Sequence, residues 1–191
     1  MARIEKALVV GAALLLVIVG CDDGAGSGAD SPSSGVQNKP LSDLESISIA
    51  DDPLADTDGP VRIVSEVQYA HGRLIAYVKN ESCGIVAIST QDSKEEKIDL
   101  ASEWPRGDEG SNTYPAGPYN SVSGAGGPKT WASMLCGKSA MVIEYATGQA
   151  GAPGQSRGQT AVTQVPGQPT TSRIIVGAPG TRDQIQQGHT G

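Results

Sequence analysis

The stretch that decides the fold runs from Val61 to Thr90 and reads VRIVSEVQYAHGRLIAYVKNESCGIVAIST. Apolar and polar residues alternate through its first third, which is typical of a strand with one buried face. Ala70-His71-Gly72 and Asn80-Glu81-Ser82-Cys83-Gly84 then supply two turns between apolar runs. Three short strands joined by turns predict an antiparallel meander.

Working outward, the remaining strand signals are separated by stretches rich in Gly, Pro and Ser. Residues 92–104 fit either a short helix, through the capping-box pattern Ser93-x-x-Glu96, or a fourth strand, and we favour the strand. Residues 105–129 predict a long loop, and Ala140 to Tyr145 predict a further strand. Because the chain has no phenylalanine, its core must rest on Val, Ile, Leu and Ala. We therefore expect a mainly β domain, a small antiparallel β-sandwich or barrel.

The N-terminal segment has the charge and the length of a secretory signal. Arg3 and Lys6 precede thirteen apolar residues, Ala7 to Val19, which read ALVVGAALLLVIV. A helix of this length rises about 20 Å, which is short of the ~30 Å hydrocarbon core of a bilayer. The alternative is a short transmembrane anchor.

The residues that follow, Ile18-Val19-Gly20-Cys21, resemble the lipobox of bacterial lipoproteins. This resemblance covers residues 1–21 and implies that residues 1–20 are a signal peptide, removed just before the cysteine. It further implies that Cys21 carries diacylglycerol and fatty chains such as palmitate. Two or more chains hold firmly, since each buried CH₂ contributes about 0.8 kcal/mol. The expected location is the cell membrane, with the protein lipid-anchored on the extracytoplasmic face.

Beyond the signal, composition divides the chain into three regions. Residues 21–60 predict an acidic flexible tether, because Gly, Ser, Asp and Pro bury too little apolar surface to order the chain. Residues 61–147 are the expected β-rich domain. Residues 148–191 predict a Gly-, Gln- and Pro-rich low-complexity tail in which only 173–178 resembles a strand. The net charge of −7 argues against nucleic acid as a partner, since phosphate binding needs clustered cations.

The cysteines suggest one bridge. With Cys21 taken by lipid, Cys83 and Cys136 remain, and two cysteines in an oxidising compartment predict a disulfide. Two separate buried thiols are the alternative.

The best candidate for a partner surface is the loop from Trp104 to Trp131, which also holds Tyr114 and Tyr119. Aromatic side chains in a Pro/Gly-rich loop offer contact area at low entropic cost. Alternatively, these rings pack over the sheet in place of the missing phenylalanines. The expected partner is an envelope protein or a small ligand.

Residues suited to catalysis or metal binding are few. His71 and His189 have no neighbouring ligand at zinc-site spacing, and the aspartates between Asp51 and Asp58 miss the spacing of a calcium loop. We expect no metal and no cofactor. The sequence therefore favours a binding lipoprotein; the alternatives are a small envelope hydrolase, in which His71 activates a serine, and a structural spacer of the envelope.

Overall fold

The computed structural model describes residues 39–91, 94–107, 114–149 and 153–188. The signal segment, Cys21 and His189 lie outside the described residues. After a short 3-10 turn at Leu41–Asp43 come the strands and one helix: β1 Arg62–Tyr69, β2 Gly72–Lys79, β3 Ser82–Gln91, β4 Lys94–Glu103, β5 Asn120–Ala125, β6 Trp131–Cys136, β7 Ala140–Ala146, β8 Ser156–Gly158, β9 Thr160–Gln164, β10 Thr171–Gly177 and α1 Pro179–Gln187.

The strands form two antiparallel sheets of five strands each. Sheet A has the order β4-β3-β2-β1-β8, and sheet B has the order β5-β6-β7-β10-β9. The predicted meander is β1 to β3, joined by the two-residue turns Ala70-His71 and Asn80-Glu81. Asn80 adopts a positive φ of 54°, a conformation that asparagine tolerates better than most residues. The prediction of a mainly β, antiparallel fold is confirmed, and β4 confirms the strand interpretation of residues 92–104.

The core lies between the two sheets. Alternate residues of each strand point inward, as the period of two requires. Fully buried side chains from sheet A include Val64, Leu74 and Ile85, and those from sheet B include Ile143 and Ile174. Each buried aliphatic side chain contributes roughly 1.5–3 kcal/mol of hydrophobic stabilisation. Aliphatic residues therefore supply most of this core, with Met134, Met141 and Tyr145 filling the larger spaces.

The fold continues past the predicted domain boundary at residue 147. The short strand β8 pairs with β1, where Arg157 lies opposite Glu66, and β10 lies between β7 and β9. The predicted low-complexity tail of 148–191 thus supplies three strands and helix α1 within residues 153–188. Only the strand expected at 173–178 was anticipated, and it runs from Thr171 to Gly177. The Gly and Pro residues of this region mark the turns between short strands.

The fold also begins before the predicted end of the tether at residue 60. Leu41 and Leu44 are buried in the main core, and Leu54 packs on the outer face of sheet A. The Ile47 amide donates a hydrogen bond of 2.8 Å to the carbonyl of Ile63. From residue 39 onward the acidic segment is therefore part of the domain. Its buried leucines stand among aspartate, serine, glutamate and proline residues, and this composition is the reason that the sequence predicts a tether there.

A third difference concerns the predicted loop at 105–129. Residues Asn120–Ala125 form β5, which pairs with β6 along its whole length. Its sequence, NSVSGA, has a single β-branched residue, so strand propensity gave no signal there.

Strand directions define two ends of the sandwich, which we call the cysteine end and the hairpin end. Cys83 and Cys136 lie at the cysteine end, and the chain enters there because the Leu41 amide donates to the Lys138 carbonyl at 2.8 Å. The Ala70-His71 turn and the turn at 126–130 lie at the hairpin end. Among the described residues, no helix has the length and apolarity to cross a membrane.

Candidate functional site

The two core cysteines connect the sheets. Cys83 belongs to β3 of sheet A and Cys136 to β6 of sheet B, and both are fully buried. They lie at disulfide distance, with Cα atoms 5.6 Å apart, which agrees with the predicted pairing. A bridge closing a loop of this sequence separation, 53 residues, stabilises by about 4 kcal/mol in the chain-entropy model.

Trp104 follows β4 at the cysteine end. Its amide donates to the Glu81 carbonyl at 2.8 Å, which fixes the residue beside the turn between β2 and β3. The ring packs against the main core, and it borders a cleft of about 470 Å³ that we call the end cleft. Glu81, Glu103, Arg106 and Lys138 also line this cleft. Because both signs of charge are present, the end cleft favours neither a cation nor an anion.

Tyr119 and Tyr114 lie on the other side of the same loop, over the outer face of sheet B. Tyr119 is only 2% exposed and packs with Val142, Ile175 and Ile185 of helix α1. Its hydroxyl donates to the Pro115 carbonyl at 2.7 Å, and burial raises the pKa of Tyr119. Tyr119 is thus a structural cover for the sheet, as the alternative interpretation of the loop expected.

Tyr114 borders a second cleft of about 270 Å³, the face cleft. Its lining comes from four distant parts of the chain: Tyr114, Thr163, Gln164, Pro166, Arg173, Ile175, Ile185 and Gln186. Ile175 of β10 and Ile185 of α1 form the largely buried apolar floor of the cleft, since both belong to the cluster under the loop. Tyr114 and Pro166 add further apolar walls.

One ion pair sets the electrostatics of the face cleft. Arg173 donates two hydrogen bonds to Glu144 Oε1, at 2.8 and 3.2 Å, and the side chains are only 14% and 29% exposed. Burial raises the pKa of Tyr114, while Arg173 lowers it and Glu144 raises it. The arginine charge is therefore largely neutralised, and the cleft combines apolar area with fixed polar groups. Such a lining is typical of sites that bind by shape and orient by a few polar contacts.

Trp131 is separate from both clefts. It begins β6, pairs with Ala125 and Ala146, and therefore lies toward the hairpin end on the outer face of sheet B. The four aromatic residues predicted as one surface are thus distributed over an end cleft, a face cleft, a buried cover and the far part of a sheet. They are close in the sequence, but strand β5 lies between Tyr119 and Trp131 and places Trp131 apart from the others.

His71 lies exposed in the β1–β2 turn. Within the described ranges its ring makes no hydrogen bond, and Ser89, the nearest serine in register, faces the core. The aspartates between Asp51 and Asp58 also lack a metal-binding arrangement: Asp52 Oδ1 accepts a hydrogen bond from the Leu54 amide at 2.8 Å. In the part of the chain described, no three His, Cys, Asp or Glu side chains are grouped as metal ligands.

A buried polar cluster at the hairpin end has no signal in the sequence. The Tyr69 and Tyr145 rings contact edge-to-face with centroids 5.3 Å apart, and Ser89 and Glu96 are partners across β3 and β4 nearby. Burial raises the pKa of both tyrosines. The two phenol oxygens, Ser89 Oγ and Glu96 Oε2 are sealed from solvent, and the phenols of Tyr69 and Tyr145 lie beside Ser172 and Ser89, whose hydroxyls oppose the rise in pKa. Their burial makes the cluster a feature of the interior, not an accessible site.

Comparison with known proteins adds no assignment. No protein-family model matches the chain, no curated protein is significantly similar to it, and no solved structure matches its fold significantly.

Proposed function

We propose that this chain is a lipid-anchored, extracytoplasmic binding protein that holds a partner or small ligand in the face cleft. The observation that carries the proposal is the lipobox-like Ile18-Val19-Gly20-Cys21 behind a signal-like segment. Lipid on Cys21 attaches the chain to the cell membrane, and the domain that begins near residue 39 projects from it.

The point at which the chain enters the domain supports this arrangement. Leu41 is held at the cysteine end by its hydrogen bond to Lys138, so the anchor joins that end of the sandwich. Residues 22–38 separate Cys21 from the first described residue. The cysteine pair is also consistent with an oxidising compartment.

The chemistry of the face cleft favours binding over catalysis. Tyr114, Ile175 and Ile185 provide apolar contact, and the Arg173–Glu144 pair provides oriented polar atoms. Among the described residues that line the cleft, Tyr114 and Thr163 carry hydroxyls, but none is a histidine or a carboxylate that could act as the adjacent base of a nucleophile.

The anchor is tested by labelling cells with an alkyne-bearing palmitate analogue. The wild-type chain should incorporate label, start at Cys21 by mass spectrometry and fractionate with membranes. A Cys21→Ala variant should lose the label and keep its signal segment. An unmodified Cys21 in the wild-type product would refute the anchoring.

The cleft is tested with a photo-crosslinking amino acid at Gln186, which lines the face cleft. The matched control is Gln184, an exposed glutamine of the same helix that does not line it. We expect a discrete adduct from Gln186 in intact cells, none from Gln184, and loss of the Gln186 adduct on Tyr114→Ala. Equal adducts at both glutamines, or an adduct insensitive to Tyr114→Ala, would contradict the assignment.

A further inference from the structure

The four edges of the two sheets differ in how they are protected. The β4 edge carries charges at most positions, KEEKIDLASE, and β5 lies against β4, with Gly124 close to Leu100. The β8 edge is three residues long and contains Arg157. The β9 edge has the sequence TAVTQ, without a charged side chain. Natural sheets usually protect an exposed edge with charge, proline or a bulge.

The backbone of β9 has groups directed at this open edge. The Gly177 amide donates to the Gln159 carbonyl, and the Val165 amide donates to the Thr171 carbonyl, both at 3.0 Å. Because hydrogen-bonded pairs alternate in an antiparallel ladder, Ala161 and Thr163 bond to β10. The N–H and C=O groups of Thr160, Val162 and Gln164 therefore point away from the sheet. Within the described residues, no strand pairs with them.

The charge-free region extends beyond the strand. From Gly158 to Ser172 the chain has no ionisable side chain, although its net charge is −7. An acidic protein generally repels its own copies, so a neutral edge is where two copies can approach without like-charge repulsion.

We infer that β9 is a self-association edge, which pairs antiparallel with β9 of a second copy about a two-fold axis at Val162. In this register Thr160 lies opposite Gln164 of the second copy, and Val162 lies opposite Val162. All the outward groups of the strand then form hydrogen bonds, two for each opposed pair. Each copy contributes the same surface, as a closed dimer requires, and sheet B becomes continuous through both copies.

Cross-linking of the full chain in detergent tests the register. All variants carry Cys21→Ser so that the introduced cysteine is the free thiol. Thr163→Cys places two cysteines about 7 Å apart across the axis, as diagonal neighbours. Gln168→Cys is the matched control, since Thr163 and Gln168 are both exposed but Gln168 lies far from the axis. With a short bis-maleimide we expect dimer to form about ten times faster in Thr163→Cys than in Gln168→Cys.

A backbone variant then tests the hydrogen bonding. Val162→Pro removes an amide that points outward and leaves the bonds to β10 in place, as proline at an edge strand allows. Added to Thr163→Cys, it should abolish the cross-link, whereas Val162→Ala should retain it, with circular dichroism confirming that both variants are folded.

If the proline variant unfolds, the comparison of Thr163→Cys with Gln168→Cys decides alone. Equal rates of dimer formation in these two variants would overturn the inference.

Discussion

The outer faces of the two sheets are covered in different ways. On sheet A, the segment before β1 lies across the face, and its Ile47, Ile49 and Leu54 pack with Ile75 and Val86 in one apolar cluster. On sheet B, the loop around Tyr119 and helix α1 cover the face only in part and leave the face cleft beside them. Sheet A is thus covered by an apolar segment, whereas the cover of sheet B leaves a cleft. The comparison suggests that sheet A stabilises the domain while sheet B presents a surface.

The cover of sheet A is held by charge as well as by apolar contact. Glu66, with a side chain only 4% exposed, lies between Arg73 and Arg157 at 3.6 and 3.5 Å. Arg73 donates to the Ala50 carbonyl at 2.8 Å, and Arg157 donates to that of Ser48 at 3.0 Å. One buried carboxylate therefore orients two arginines that hold the covering segment in place.

Alkali should disrupt both covers and have the largest effect on stability. Burial raises the pKa of Tyr77 on sheet A and of Tyr114 and Tyr119 on sheet B above the ordinary phenol value of 10.0, and it does the same for Tyr69 and Tyr145 in the interior, which add to the effect. A raised pKa in the folded state favours the protonated form, so this stability is present below the unfolded-state pKa and is lost as the pH rises above it. The free energy of unfolding in urea should therefore fall steeply above about pH 10. A flat profile through that range would show that these phenols are not buried.

Removing the cover of sheet B alone should lower the free energy of unfolding by less than alkali does, but the loss should still be large. Tyr119→Ala deletes a buried ring and should reduce the free energy of unfolding by about 4 kcal/mol. Tyr119→Phe keeps the ring and loses the bond to Pro115, so its cost should be about 1 kcal/mol. Urea denaturation of both variants measures these changes in the free energy of unfolding. If Tyr119→Ala cost no more than Tyr119→Phe, the ring would not be a cover.

The smallest changes in the free energy of unfolding are expected from removing the ion pairs, and they should differ between the two faces. Glu66→Gln should cost about 2 kcal/mol, because it leaves two arginines beside a buried site without their counter-charge. The matched variant Glu144→Gln removes a more exposed carboxylate from Arg173 and should cost about 0.5–1 kcal/mol. Urea denaturation gives both values, and protease cleavage between residues 48 and 56 should increase only in Glu66→Gln. Equal costs would remove the proposed difference between the faces.

The sequence allowed the meander to be predicted because β1, β2 and β3 are consecutive, joined by tight turns and long enough for alternation to be visible. The same signal fails for β8 and β9, which have three and five residues. Helix α1 was missed for another reason. Its sequence PGTRDQIQQ contains only one large apolar residue, Ile185, so it has no amphipathic period.

The face cleft was beyond reach of the sequence because its lining is assembled by tertiary pairing. Tyr114 was identified as a candidate, but Thr163, Arg173 and Ile185 come from segments interpreted as a low-complexity tail. Only the insertion of β10 between β7 and β9 brings these segments onto one surface. No local sequence pattern predicts that β10 lies between β7 and β9.

The pairing of β1 with β8 has a consequence for the order in which the chain is made. Val67 lies opposite Ser156 and Ser65 opposite Gly158, so the first strand pairs with residues about ninety positions later in the chain. Because the chain is synthesised from its N-terminus, β1 emerges from the ribosome long before β8, and until then it has no neighbour on that side. Sheet B likewise stays incomplete until Thr171–Gly177 has been synthesised. Neither sheet can therefore close while only its early strands have been made, and both layers are completed by segments that follow residue 155.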